Sequence, residues 1–257
     1  MRYIFTVSAQ RLKQIMIVGT TLLLAVVLGY NERDALSAFS DQPQDQAQGP
    51  HAIYKVDTKE KKIALTFDIS WGETRTVPIL DILKEKNVKA SFFLSSVWAQ
   101  RHQDTVKRIK EDGFEIGSHG HKHDFYTKYS DEDIRLQIRR ADSILTEMTG
   151  KKPTLIRLPN GDIDKRVLTI ANNLGYTVIQ WDTNSQDWTN PGTDVIVNQV
   201  LAKAHPGDIV LMHASDSSKE THLALPVIID KLRKQGYEFV TVSELISGTQ
   251  VKSQEVK

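Results

Sequence analysis

Between Ile63 and Val242 the chain repeats one pattern: a short, unbroken apolar run, then a polar residue, then a helical stretch. The runs are Ile63–Phe67, Ala90–Leu94, Phe114–Ile116, Thr154–Ile156, Tyr176–Trp181, Ile209–Met212 and Glu238–Val242. They are strand-length and lack the polar alternation of a half-exposed sheet, so they read as strands covered on both faces. Helical spacing fills the gaps. Ile134, Ile138, Ala141, Leu145 and Met148 form one helical face, with Ser130 placed to cap it, acids in its first turn and Gly150 to stop it. Further helices are expected near Val77–Asn87, Val106–Asp112, Asp164–Gly175, Thr193–Ala204 and Thr221–Gln235. About seven strands alternating with six or seven helices imply an α/β fold with a parallel sheet.

The pattern alone allows a doubly wound sheet or a barrel. The polar residues favour the barrel. Asp68, His119, Arg157, the stretch Asp182 to Asp187, and His213 all stand at or just after the C-terminal end of a strand. A barrel collects such residues from several strands at one face, whereas a doubly wound sheet uses one crevice.

The densest chemistry lies in Ser118-His119-Gly120-His121-Lys122-His123-Asp124. Neighbouring imidazoles suit Zn²⁺ or a similar divalent ion; a His-rich surface loop is the alternative. Asp68 ends an apolar strand, where a carboxylate serves as base, metal ligand or turn former. Arg157 precedes the turn Leu158-Pro159-Asn160-Gly161 and could hold a carboxylate. His213 ends its strand as a core histidine or a general acid, and an adjacent Asp would raise its pKa. Taken together, these are the parts of metal-assisted hydrolysis. With no Cys in 257 residues, thiol chemistry is excluded and any metal must use imidazole and carboxylate. A net charge of +1 and no basic stripe argue against nucleic acid.

The ends differ from the middle. Arg2, Arg11 and Lys13 precede the apolar run Ile15–Leu28, which fits a signal peptide or signal-anchor over residues 1–30. The run is short beside the roughly 20 residues of a spanning helix. The positive charges should stay inside and send the rest of the chain across the membrane. Residues 31–50 read as a flexible linker, 51–247 as a single folded domain, and 248–257 as a polar tail.

Thr66-Phe67-Asp68, Ser118-His119-x-x-x-His123, Arg157-x-Pro159-x-Gly161, Asp187-Trp188 and Leu211-Met212-His213 occur in this order between Lys62 and Ile246. By these motifs the sequence resembles the NodB-type polysaccharide deacetylases of carbohydrate esterase family 4. The resemblance implies a distorted (β/α) barrel of about seven parallel strands, the NodB homology fold. It implies removal of acetyl groups from an N-acetylated cell-wall polysaccharide such as peptidoglycan, by a domain acting as a monomer. It implies Asp68 as base, His119 and His123 as ligands of a divalent metal, Arg157 holding Asp68, and Asp187 orienting His213, the acid. Trp188 and Leu211 would line the acetyl pocket, and the Asn160 N–H would meet the oxyanion. The family's usual first motif carries a second acid directly after the base, as third metal ligand; here Ile69 stands there. The N-terminal segment, the linker and Phe67-Asp68-Ile69-Ser70-Trp71-Gly72 look most like the PdaB-type sporulation proteins of Bacillus-type spore formers, implying a role in the spore envelope or cortex.

Overall fold

The computed structural model describes residues 50–247 and 251–255. The expected signal or anchor segment and nearly all of the expected linker lie outside the described residues. Ten strands form one sheet: β1 (His51–Val56), β2 (Lys62–Ile69), β3 (Ser91–Leu94), β4 (Glu115–Ser118), β5 (Leu155–Ile156), β6 (Thr177–Ile179), β7 (Thr183–Asn184), β8 (Asp208–His213), β9 (Glu238–Phe239) and β10 (Val251–Glu255). Seven close a barrel in the order β1-β6-β5-β4-β3-β2-β8, and β8 returns to β1 through one bridge, Lys55 to Asp208. From β1 through β6 to β8 each of the other barrel neighbours pairs in parallel. The barrel expected from the sequence is therefore the one observed.

Its seventh member is a correction. The sequence suggested Glu238–Val242, but β9 is two residues long and pairs only with the start of β2, off the closed ring. Thr241 and Glu244 form a reciprocal capping box there, which turns Val242–Ile246 into a helix. The seventh barrel strand is instead β1, directly after the expected linker. Residues 251–255, read as part of a polar tail, pair antiparallel with β1 as an edge strand.

The helices are α1 (Thr76–Glu85), α2 (Ser96–Arg101), α3 (Gln103–Glu111), α4 (Asp131–Thr149), α5 (Lys165–Asn173), α6 (Thr193–Lys203), α7 (Thr221–Lys234) and α8 (Val242–Ile246). Helix α4 starts and stops as its sequence indicates: the Ser130 hydroxyl accepts from the Asp133 N–H, and Gly150 takes the left-handed cap. None of the helices among the described residues is long and apolar enough to cross a membrane.

Strand β2 shows how the core places the site. Ile63, Leu65, Phe67 and Ile69 pack outward with Ile79, Leu80 and Leu83 of α1 and Leu225, Ile228 and Leu232 of α7. The alternate residues face the interior, where Ala64 joins Phe93, Ile179 and Ile209, and α8 adds Val242 and Leu245. Successive strand residues point to opposite faces. Asp68 therefore turns inward while Ile69, fully buried, belongs to the outer layer.

Candidate active site

The C-terminal ends of β2, β4, β5 and β8 open onto a pocket of about 470 Å³. Asp68, His119, His123, Asn160, Trp188, Leu211 and His213 all line it. Arg157 and Asp187 lie directly behind, fully buried. The structure thus brings together all nine residues singled out in the sequence.

Arg157 leaves β5 and crosses under the pocket. Its Nη1 donates to Asp68 Oδ1 at 2.9 Å and to Thr66 Oγ1 at 2.8 Å, and its Nη2 donates to the Gln180 carbonyl at 3.0 Å. The guanidinium lies over the Phe93 ring at 4.3 Å, with Trp181 at 5.6 Å. Burial would raise the Asp68 pKa, but the charge of Arg157, helped by His119 and His213, outweighs it and holds the carboxyl below the usual carboxylate range. Asp68 is accordingly a fixed anion at neutral pH.

The second buried carboxylate belongs to Asp187, in the turn after β7. Its Oδ2 accepts from the His213 backbone N–H at 2.7 Å and from the Thr221 hydroxyl at 2.6 Å; its Oδ1 faces His213 Nδ1 at 2.7 Å. An ionised carboxylate only accepts, so Nδ1 carries the proton and Nε2 is left facing the pocket. Burial lowers the His213 pKa, but the Asp187 charge and hydrogen bond prevail and raise it. That is the direction a proton donor needs near neutral pH.

The imidazole pair is set differently. His119 Nδ1 donates to the Arg157 carbonyl at 2.8 Å, which fixes the tautomer and frees Nε2. That Nε2 lies 3.9 Å from Asp68 Oδ2, and the His119 and His123 rings are 5.3 Å apart. Burial, only partly opposed by Asp68, pushes His119 down to about 4, and burial lowers His123 as well. Both rings are neutral at pH 7, the form that ligates a metal.

A third donor is missing. Ile69 occupies the position after the base and points into the outer core. Of the other polar groups nearby three are committed elsewhere, and the Ser70 hydroxyl, buried without a hydrogen-bond partner among the described residues, is a neutral group that does not replace a carboxylate. His121 Nδ1 meets Ser96 Oγ at 2.8 Å, Asp124 accepts from the Tyr129 hydroxyl, and Glu73 accepts from Thr105. Among the described residues no group of three His, Cys, Asp or Glu is arranged to hold a metal ion. The donor set thus does not fit the divalent metal that the resemblance implies.

The sequence reading missed several lining residues: Trp71, Gly161, Trp181, Asn184 and Ser217. Trp71 was legible only as part of a motif. Asn184, within the stretch Asp182 to Asp187, is brought in by the register of β7 on β8, and Ser217 comes from the loop after β8. Asn160 and Gly161 both adopt left-handed backbone, with φ of 61° and 64°. A Cβ at Gly161 would fall 2.7 Å from the Trp181 ring, so only glycine fits that turn.

This geometry defines a hydrolase-type pocket: a buried base candidate and a partly buried acid candidate, each fixed by its own partner, at the mouth of a seven-stranded barrel. The polysaccharide deacetylase family model matches residues 55–179. A peptidoglycan-N-acetylglucosamine deacetylase of Bacillus cereus is 38% identical over 199 residues, which cover 76% of this chain and 93% of that protein. A CE4 family pseudoenzyme from Bacillus anthracis superimposes with a TM-score of 0.74 at 32% identity, over 82% of this chain and 74% of its own. A mutant of that pseudoenzyme with restored enzymatic activity gives a TM-score of 0.73 at 34% identity, over 78% and 72%. This chain belongs to the polysaccharide deacetylase family.

Proposed function

We propose that the protein removes N-acetyl groups from peptidoglycan, with Asp68 as general base and His213 as general acid. The observation that carries this reading is the pair of separately fixed proton carriers on one pocket: Asp68 on Arg157, and His213 on Asp187. Asp68 takes a proton from water as its oxygen bonds to the acetamide carbon. The backbone N–H of Asn160 receives the oxyanion. His213 Nε2 then gives its proton to the sugar nitrogen as the C–N bond breaks, leaving acetate and a free amine. Trp188 and Leu211 take the acetyl methyl. Neither carboxylate could do its work without a buried partner, and a pure binding surface would need neither partner.

The substrate lies outside the cytoplasmic membrane, which agrees with an exported or membrane-anchored protein. The likeness of Phe67–Gly72 to the PdaB type supports a role in the spore envelope or cortex, with the domain acting as a monomer.

A specific observation favours a second reading: Ile69 stands in place of the third metal ligand. Under it the protein binds glycan with weak turnover or none. The likeness to a pseudoenzyme whose mutant regained activity gives this reading weight.

Acetate release by the full-length chain on N-acetylated peptidoglycan fragments and chito-oligosaccharides separates the two. It is run with chelator, then with added Zn²⁺, Co²⁺ or Mn²⁺, beside Asp68→Ala. Release that vanishes in the variant supports the enzyme. No release under any condition, with glycan still bound, supports the binding protein.

A further inference from the structure

We propose that Trp71 is a glycan-stacking platform at the mouth of the pocket, a sugar-binding residue distinct from the acid–base groups. The proposal deepens the glycan reading above and rests on it. Trp71 lines the pocket yet keeps 52% of its surface exposed. An indole left half in water at a concave site is a costly surface unless something covers it, and sugar rings present apolar C–H faces suited to an aromatic plane. Polar groups that could meet ring hydroxyls stand beside it: Asn160, Asn184 and Ser217 line the same pocket.

The residue is held in place rather than left to wander. Ser215 Oγ accepts from the Ser70 N–H at 2.9 Å, and the Trp71 carbonyl accepts from the Asp216 N–H at 2.9 Å. Gly72 follows with φ of +63°, and a Cβ there would fall 2.0 Å from the Asp216 carboxylate. The Gly72 carbonyl accepts from the indole of buried Trp98, and Asp216 Oδ1 accepts from the Arg75 N–H at 2.8 Å. One side of the Trp71 ring leans on His123, with centroids 4.5 Å apart and a tilt of 55°. The turn is thus ordered before any ligand arrives, so little entropy remains to be lost when a sugar stacks on it. Phe125, 48% exposed with the Lys128 ammonium over its ring at 4.7 Å, does not line the pocket and serves as the control.

The test is calorimetric titration of the full-length chain with chitotetraose, using wild type, Trp71→Ala, Trp71→Phe and Phe125→Ala, with acetate release and Tm measured in parallel. Trp71→Ala is expected to weaken binding roughly tenfold, the scale of one aromatic contact with its buried area. Trp71→Phe should stay within about threefold of wild type, and Phe125→Ala should match it, with Tm unchanged in all. Recovery by Phe separates stacking from a disturbance of His123. The proposal is overturned if Trp71→Ala binds as wild type does, if Phe125→Ala weakens binding equally, or if wild type does not bind chitotetraose. Binding that depends on Trp71 without acetate release sinks the deacetylase reading and leaves the platform standing. Acetate release with binding and KM indifferent to Trp71→Ala does the reverse.

Discussion

Strand β8 ends near one buried carboxylate and begins with another, and the two are treated in opposite ways. At its C-terminal end Asp187, fully buried, accepts three hydrogen bonds: two from His213 and one from Thr221. At its N-terminal end Asp208, equally buried, accepts one at 3.2 Å from the Thr183 N–H, and its second oxygen has no partner among the described residues. The nearby basic side chains do not turn to it. Lys55 and His205 both face Asp182, at 2.6 and 2.8 Å, and His205 stays 3.9 Å from Asp208. Burial, with a smaller push from the Asp182 charge, takes the Asp208 carboxyl up to about 6 against those weak contacts. A carboxylate taken out of water stays ionised only where donors converge on it. Convergence marks the mouth of the barrel as the place where charge is used; at the foot, the seam between β1 and β8 merely tolerates it.

The sharpest way to break this contrast is Asp187→Asn. The shape survives, but the amide cannot stabilise a protonated His213. Acetate release should fall about 10³–10⁴-fold while the circular dichroism spectrum is unchanged, and the His213 ring should titrate lower by NMR than in wild type. A His213 titration that does not move would show that Asp187 is not what raises it. Next in size is Arg157→Met. It leaves Asp68 buried beside Thr66 and His119 without its cation, and stability in urea should drop by about 3–5 kcal/mol. A loss below about 1 kcal/mol would mean that water reaches Asp68 freely.

The mouth was easier to read in the sequence than the foot. Asp68, Arg157 and His213 are polar side chains closing apolar runs, and a parallel barrel turns that local rule into a shared address. The partners were not legible. Thr221 comes from the first turn of α7 and Trp181 from two residues past the end of β6, and only the closed ring brings them to Asp187 and Arg157. The same limit hid β1. Its six residues carry no repeat of their own, and they become a barrel strand only by sitting between β6 and β8. The run at Glu238–Val242 misled because hydrophobicity was weighed ahead of Thr241-Val242-Ser243-Glu244, whose cap spacing was visible in the sequence. Ile69 is the opposite case. Its failure to supply a ligand was legible from its chemistry, and the structure adds the reason it is tolerated: a fully buried place in the outer core.

Asp208→Asn sharpens the contrast from the other end. A carboxyl with a folded pKa of about 6 and an unfolded one of about 3.9 binds its proton more tightly in the native state. Its contribution to stability is whole below pH 4 and is lost as pH rises through 6. The amide is neutral throughout and can still accept from the Thr183 N–H. The variant should therefore gain about 3 kcal/mol over wild type above pH 6, with the gain vanishing near pH 4. Urea melts across that range check it, and a gain independent of pH would show that the carboxyl is not the titrating group.

The smallest effect isolates a single donor. Thr221→Val keeps the shape of the side chain and removes the hydroxyl that reaches Asp187 Oδ2. One of three hydrogen bonds to a buried charge should be worth about 1–2 kcal/mol of stability. The number alone could reflect a change in the first turn of α7, to which Thr221 belongs, so the measurement belongs in a cycle with Asp187→Asn. If the hydroxyl acts through the carboxylate, its loss should cost much less once the charge is gone, because an amide neither needs nor rewards a third donor to the same degree. Equal costs in both backgrounds would mean that Thr221 stabilises the start of the helix and not the anion. Asp187 would then rest on His213 alone, and the count of converging donors would no longer be what separates the two ends of β8.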